Sequence, residues 1–165
     1  MTFSPQAPAN NVRVLRADEG DLYFEHLLRL EPEAQRMRFF GDTPDFHLAL
    51  HAGAAVSDGR FCVGYIEADV IRGAAELLIG DGRDPDHQSA PEAAFSVEAP
   101  YRSKGVGSLL MGAILSEARR LGVKRIKVAC LPENAAMQRL AARFHADVRQ
   151  EGANILGLID DDPPR

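Results

Sequence analysis

The sequence holds no apolar run near the roughly 20 residues that a membrane-spanning helix requires, so no membrane partner is expected. Met1–Asn11 lacks a cationic start leading into an apolar stretch, so nothing reads as a secretory signal and a cytoplasmic location is expected. Cysteine is scarce. Cys62 and Cys130 stand far apart in apolar stretches with no Cys-x-x-Cys pair, which excludes a disulfide framework and reads as two small buried hydrophobes. A basic excess is also missing. Nineteen Lys and Arg face 24 Asp and Glu, for a formal charge of −5. Without a basic stripe, nucleic acid is not an expected partner, and the sign leans weakly toward a cationic one such as an amine. There is no Gly-x-Ser-x-Gly elbow, which removes the commonest hydrolase signal. His47 and His51 have a metal-ligand spacing if that stretch is helical, but no third ligand accompanies them, so no metal is expected.

What is present is an ordinary globular composition: 165 residues, 45% apolar and 26% charged. The length suits one domain spanning 1–165, with residues 1–10 and 160–165 as loose ends. Gly80–Pro91, with two glycines, two prolines and three aspartates, reads as a turn or exposed loop.

The patterning predicts a strand over Val12–Leu15, then a helix capped by Asp18 with Asp21 three residues on. Pro32 suits the first position of a second helix ending near Phe39. Asp42–Val56 is ambiguous, with a helix from Asp45 as one reading. Phe61–Ala68 and Ile71–Ile79 read as a hairpin, and Glu92–Glu98 as a further strand. In that strand Phe95 and Val97 share one face, and Glu92, Ala94, Ser96 and Glu98 the other. Val106, Leu109, Leu110, Ala113, Ile114, Ala118 and Leu121 follow helical spacing, and Gly122 supplies the stop. Lys124–Leu131 alternates as a strand, Asn134 can cap a last helix carrying Met137, Leu140, Ala141 and Phe144, and Ile155–Ile159 is a final strand. Strand, helix and strand across Glu92–Leu131 form a βαβ unit, so those strands are expected parallel. The sum is a mixed α+β domain.

The chemically informative segment is Arg102-Ser103-Lys104-Gly105-Val106-Gly107, between a strand and the strongest helix. Two glycines let backbone approach a ligand, and a helix N-terminus behind them offers free N–H groups and the positive end of its dipole. That is an anion site suited to a pyrophosphate, with Arg102 and Lys104 adding charge. A Walker loop is absent, and a dinucleotide fingerprint would need a glycine where Leu110 stands.

Arg-x-x-Gly-x-Gly after Pro100-Tyr101, followed by an amphipathic helix, a strand and Pro132-Glu133-Asn134, resembles the GNAT superfamily of N-acetyltransferases. Pro32, Glu33, Arg38 and Phe39, with Leu131–Met137, are similar to the protein-lysine type within it. The resemblance implies a mixed, mostly antiparallel sheet with a central parallel strand pair flanked by helices, and acetyl-CoA as co-substrate. It implies that amides from Arg102, Ser103, Lys104, Gly105, Val106, Gly107 and Ser108 hold the pyrophosphate. Phe95 and Val97 would lend main-chain groups to the pantetheine arm, the Val97 N–H polarising the acetyl carbonyl, and Asn134 would touch the cofactor. Glu92 stands where many of these enzymes keep a glutamate, and is the first candidate base for an acceptor ammonium; Glu98 is the second. Many GNAT enzymes place an acidic tyrosine where this chain has Ala141. The implied activity is acetyl transfer to a primary amine, a protein lysine or a small amine, by direct attack in a ternary complex. The competing reading is a catalytically weak acyl-CoA-sensing module. A homodimer is a common outcome for the family.

Overall fold

The computed structural model describes residues 7–57, 60–79 and 90–161. Its elements run β1 (Val12–Val14), α1 (Gly20–Arg29), α2 (Pro32–Phe39), α3 (Asp45–Ala55), β2 (Phe61–Glu67), β3 (Val70–Leu78), β4 (Glu92–Val97), α4 (Val106–Arg120), β5 (Arg125–Cys130), α5 (Ala135–Arg143), β6 (Asp147–Glu151) and β7 (Asn154–Asp160). The strands form one seven-stranded sheet in the order β1-β2-β3-β4-β5-β7-β6. Every neighbouring pair is antiparallel except β4 and β5. This is the mixed sheet with a central parallel pair that the sequence resemblance implied.

Each face of the sheet carries its own core. α4 and α5 bury Leu110, Met111, Ile114 and Leu140 against Val63, Ala75, Leu77, Ala93, Ile126 and Val128. On the opposite face α1 and α3 bury Tyr23, Leu27, Leu48 and Ala52 against Cys62, Ile71 and Ala74. The strand period of two explains the division: Ala75 and Leu77 face α4, while Ala74 and Glu76 face α1 and α3. Both cysteines are buried and free. Among the described residues no helix is long and apolar enough to cross a membrane, and no cluster of metal-ligating side chains occurs.

Three local expectations need correction. Glu19 is the N-cap residue of α1 but makes no side-chain hydrogen bond into that helix; its carboxylate accepts the Arg16 backbone N–H at 2.7 Å across the 3-10 turn Ala17–Glu19 and pairs with Arg13, and Asp18 and Asp21 do not form the cap. Glu19 has two charge partners at the one place where the chain turns from β1 into the helix, and that outweighs Asp18, which lies open to water. The expected tail also starts late. Asp160 closes β7 against Arg125, and the Asp161 N–H donates to the Lys124 carbonyl at 2.9 Å. At the other end, Ala7 donates to the Lys104 carbonyl at 2.9 Å, and Ala9–Asn11 forms a 3-10 turn. Most of the Gly80–Pro91 loop and residues 1–6 and 162–165 lie outside the described residues.

The α1–α3 face also buries charge. Glu76, 1% exposed, receives hydrogen bonds on one carboxylate oxygen from Tyr23 (2.6 Å), from His51 (2.7 Å) and from Arg38. Burial alone would raise its pKa. The His51 hydrogen bond and the Arg38 charge overcome that and hold it at about 2. Glu76→Gln leaves the Arg38 guanidinium without its counter-charge, and is expected to cost about 3–5 kcal/mol of stability in chemical denaturation. Because the folded-state pKa lies below that of the unfolded chain, the contribution is full above about pH 4.5 and is lost as pH falls toward about 2. The wild type is therefore expected to lose stability across that window, and Glu76→Gln to flatten the loss; a variant as acid-sensitive as wild type would assign the effect to other carboxylates.

Candidate active site

The loop from β4 to α4 is built by backbone geometry as much as by side chains. After a 3-10 turn at Ala99–Tyr101, Ser103 and Gly105 both adopt left-handed conformations, φ 60° and 84°. Gly105 is the N-cap residue of α4, where a positive φ favours glycine. The first hydrogen bond of α4 runs from the Leu109 N–H to the Gly105 carbonyl at 3.1 Å, so the amides before Leu109 have no intrahelical acceptor. At Gly107 a Cβ would stand 3.4 Å from Leu140 of α5, an ordinary van der Waals contact, so packing does not demand glycine there.

Next to this loop the sheet opens. β4 and β5 share a single register pair, Glu92 with Lys127, where the Lys127 N–H donates to the Pro91 carbonyl at 2.9 Å. Beyond that point the strands separate, while β4 stays paired to β3 along its length. Main-chain groups alternate sides along a strand. Since Pro91 faces β5 and the Glu98 N–H donates to Arg72 on the β3 side, the N–H and C=O groups of Phe95 and Val97 face the opening. Apart from the Val97 carbonyl, which Arg102 takes, they are donors and acceptors left over by the splay.

The opening and the loop belong to one cleft of about 930 Å³. One wall is the α1–α2 connection and α2, including Leu30, Glu31, Ala34, Met37 and Arg38; the other is the loop, the start of α4, and α5. Every residue named from the sequence as cofactor-binding lines it: Phe95, Val97, Arg102 through Ser108, and Asn134. Asn134 caps α5, accepting the Met137 N–H on Oδ1 at 3.1 Å, so its expected capping role is real and engages one of its two polar atoms. Arg102 bridges the mouth, donating to the Val97 carbonyl at 3.0 Å and pairing with Glu31 of the opposite wall. The carboxylate of Glu31 is held below the usual range by that guanidinium.

The two carboxylates named as bases are placed differently. Neither lines the cleft. Glu92 stands at the apex of the splay, between Leu78 and Lys127. Glu98 is 4% exposed and held by His26 (2.9 Å), Arg29 (3.1 Å) and Arg72 (3.0 Å). Burial raises its pKa, but the His26 hydrogen bond and the two arginines overcome this and keep it below the ordinary value, so it is ionised at neutral pH.

Sequence reasoning missed Arg139 and Arg143. They stand one turn apart on α5 and line the cleft beside Leu140, Arg143 donating to Ser108 Oγ at 3.2 Å. Their spacing was readable, but only the packing of α5 against the start of α4 says where that helix face points. With Lys104 they bring positive charge to the loop side of the cleft, where Arg38 and Arg102 are already paired with Glu76 and Glu31, although the chain is acidic as a whole. Ala141, at the position of the family tyrosine, is buried against the sheet and does not line the cleft. His145 adopts φ 60° just beyond α5, as expected of a residue ending a helix. His51 is committed to Glu76.

Free helix amides, a splayed strand with unused donors, and positive charge on the loop side of the cleft fit an extended ligand carrying phosphates. Residues 13–146 match the family model described as Acetyltransferase (GNAT) family. The chain is 33% identical over 98 residues to acetyltransferase Pat of Mycolicibacterium smegmatis, a match covering 58% of this chain and 29% of that protein. The match thus spans under a third of that relative's length. Among solved structures, the GNAT domain of PAT from S. lividans superposes with a TM-score of 0.79 at 22% identity, covering 90% of this chain and 89% of the other. The yncA protein of Salmonella typhimurium, solved with its cofactor acetyl-CoA, gives a TM-score of 0.68 at 18% identity, covering 92% and 93%.

Proposed function

The chain belongs to the GNAT acetyltransferase family, and from that premise we propose that it moves the acetyl group of acetyl-CoA to a primary amine, a protein lysine ahead of a small amine, by direct attack in a ternary complex. Acetyl-CoA-dependent acetylation is the chemistry of the family. The observation that carries the reading for this chain is the splay between β4 and β5 opening beside the free amides of the Gly105 loop. Acetyl-CoA supplies an activated thioester, and the protein's task is to orient it and prepare the amine.

The loop amides from Ser103 to Ser108, together with Arg139 and Arg143, suit the phosphates of the cofactor; the Arg102 N–H, expected among them, instead donates to the Ala99 carbonyl at 3.2 Å. The Val97 N–H is the candidate donor to the acetyl carbonyl oxygen as charge builds there. Glu92 is the candidate base. It stands off the cleft wall, so we assign it a proton route through water from the acceptor ammonium. Protein lysine is placed first because the Pro32, Glu33, Arg38, Phe39 string is similar to the protein-lysine type; of these, Glu33 and Arg38 line the cleft. The sensing-module alternative rested on Ala141, and its burial explains the missing tyrosine as packing; nothing else favours that alternative.

Calorimetric titration with acetyl-CoA, followed by assay of CoA release on a lysine-containing peptide and on a polyamine, tests the proposal. Micromolar binding with faster turnover on the peptide is expected. Binding without turnover on either amine would move the protein to the sensor class. Turnover favouring the polyamine would overturn the lysine preference. Arg143→Ala is expected to weaken acetyl-CoA binding by about tenfold, the usual size for one charge-assisted hydrogen bond to a phosphate, at constant fold; unchanged affinity would place the phosphates elsewhere.

A further inference from the structure

One buried polar chain plays no part in that reading. Ser96 lines the cleft from the middle of β4, and its Oγ lies 2.8 Å from Nε2 of His26 in α1. The His26 Nδ1 lies 2.9 Å from Oε2 of Glu98. His26 is wholly buried and Glu98 nearly so. The proton positions follow from valence. An ionised carboxylate only accepts, so Nδ1 carries the hydrogen and donates to Glu98; Nε2 is then the acceptor, and the Ser96 hydroxyl donates to it. Burial of His26, opposed by Glu98, holds the ring neutral, which keeps the Nε2 lone pair available. Arg29 and Arg72 fix the carboxylate from the other side.

Simple packing does not require this arrangement. Setting a hydroxyl, an imidazole and a carboxylate between a helix and a sheet carries a desolvation cost that apolar side chains of similar volume avoid. The order of groups is the one that activates a serine: hydroxyl on Nε2, carboxylate on Nδ1. The nucleophile stands in the cleft, on the sheet face covered by α1, and the next residue, Val97, turns its main-chain N–H into the same opening. A hydroxyl, its base, an orienting carboxylate and an oxyanion donor are thus gathered on one strand and one helix.

We propose that Ser96 is a second acyl acceptor in this cleft, and that the protein slowly hydrolyses acetyl-CoA when no amine is bound. The inference rests on the acetyl-CoA reading above. Ser96 Oγ attacks the thioester carbonyl carbon while its proton passes to His26 Nε2. The C–S bond breaks, the departing thiolate takes that proton, and Ser96 holds the acetyl group as an ester. Water then attacks the ester carbonyl, giving a proton to His26; the C–Oγ bond breaks, Oγ recovers the proton, and acetate leaves. No oxidant or further reactant is needed.

The test incubates the full chain with acetyl-CoA and no amine, following thiol release and, after acid quench, the mass of each peptide. One acetyl group on the peptide containing Ser96 is expected, with CoA release lowered about 100-fold or more in Ser96→Ala and in His26→Gln. Ser96→Cys keeps a nucleophile in place and is expected to retain the acetyl group as a thioester. Thermal melts of each variant establish that it is folded. Acetyl found only on lysines, or CoA released by folded Ser96→Ala at the wild-type rate, would overturn the proposal. Binding of acetyl-CoA and transfer to an amine, with Ser96 never modified, would overturn the serine route alone. Failure of the wild type to bind acetyl-CoA would remove the proposed function and the serine route together.

Discussion

Glu92→Gln is expected to lower kcat for amine acetylation by about 10²–10⁴-fold while acetyl-CoA affinity stays at the wild-type value. A lysine-like amine is almost wholly protonated at neutral pH and has no lone pair to attack with until a base removes the proton. Glutamine keeps the shape of the side chain and its place between Leu78 and Lys127 but cannot take a proton. Glu92 stands off the cleft wall at the apex of the splay, so the proposed proton route runs through water. Steady-state rates at saturating acetyl-CoA and amine, beside calorimetric titration with acetyl-CoA, provide the check. A kcat within about twofold of wild type would move the role of base to another group.

Gly105→Trp should abolish measurable acetyl-CoA binding in a protein that still folds. Gly105 has φ 84°, and a Cβ built on it meets nothing within 4 Å. An indole there has open space to fill, at the point where the free amides of α4 begin. The left-handed backbone itself strains any L residue by about 1–2 kcal/mol, so Gly105→Ala is the necessary control. Alanine should cost stability of that order and leave most of the affinity, because a methyl group does not cover the amides. Calorimetric titration of the three proteins separates the two effects. If the tryptophan variant binds as tightly as wild type, the loop is architecture and the phosphates lie elsewhere.

How far the site could be read in advance differs from residue to residue. The Arg102–Gly107 string and Asn134 were legible because local geometry makes them what they are: a left-handed glycine at a helix start, and a side chain that caps the next helix. Phe95 and Val97 were named by the GNAT resemblance, strand alternation giving only that they share a face. His26 gave no signal. It lies in an amphipathic helix 70 positions before Ser96, and only the packing of α1 on β4 joins them. Glu98 was legible as a carboxylate on the face of Glu92, but its burial under Arg29 and Arg72 was not. Strand β6 was invisible for another reason. All five of its residues are exposed, so an edge strand open to water shows no apolar alternation. Asp18 looked like the better helix cap by residue type, and lost to Glu19 because Arg13 and Arg16 converge on that carboxylate.

By itself the sequence determined the order of the elements other than α3 and β6, the βαβ unit at the centre of the sheet and the anion-binding loop, since each depends on periodicity or on a backbone conformation that neighbouring residues dictate. The tertiary structure decided everything that depends on distance across the sheet. It set the single pairing point of β4 and β5 that opens the cleft, the cationic face that α5 turns toward it, and the chain of groups from Ser96 through His26 to Glu98. Those features are sums over residues far apart in sequence, held by burial that no local pattern records.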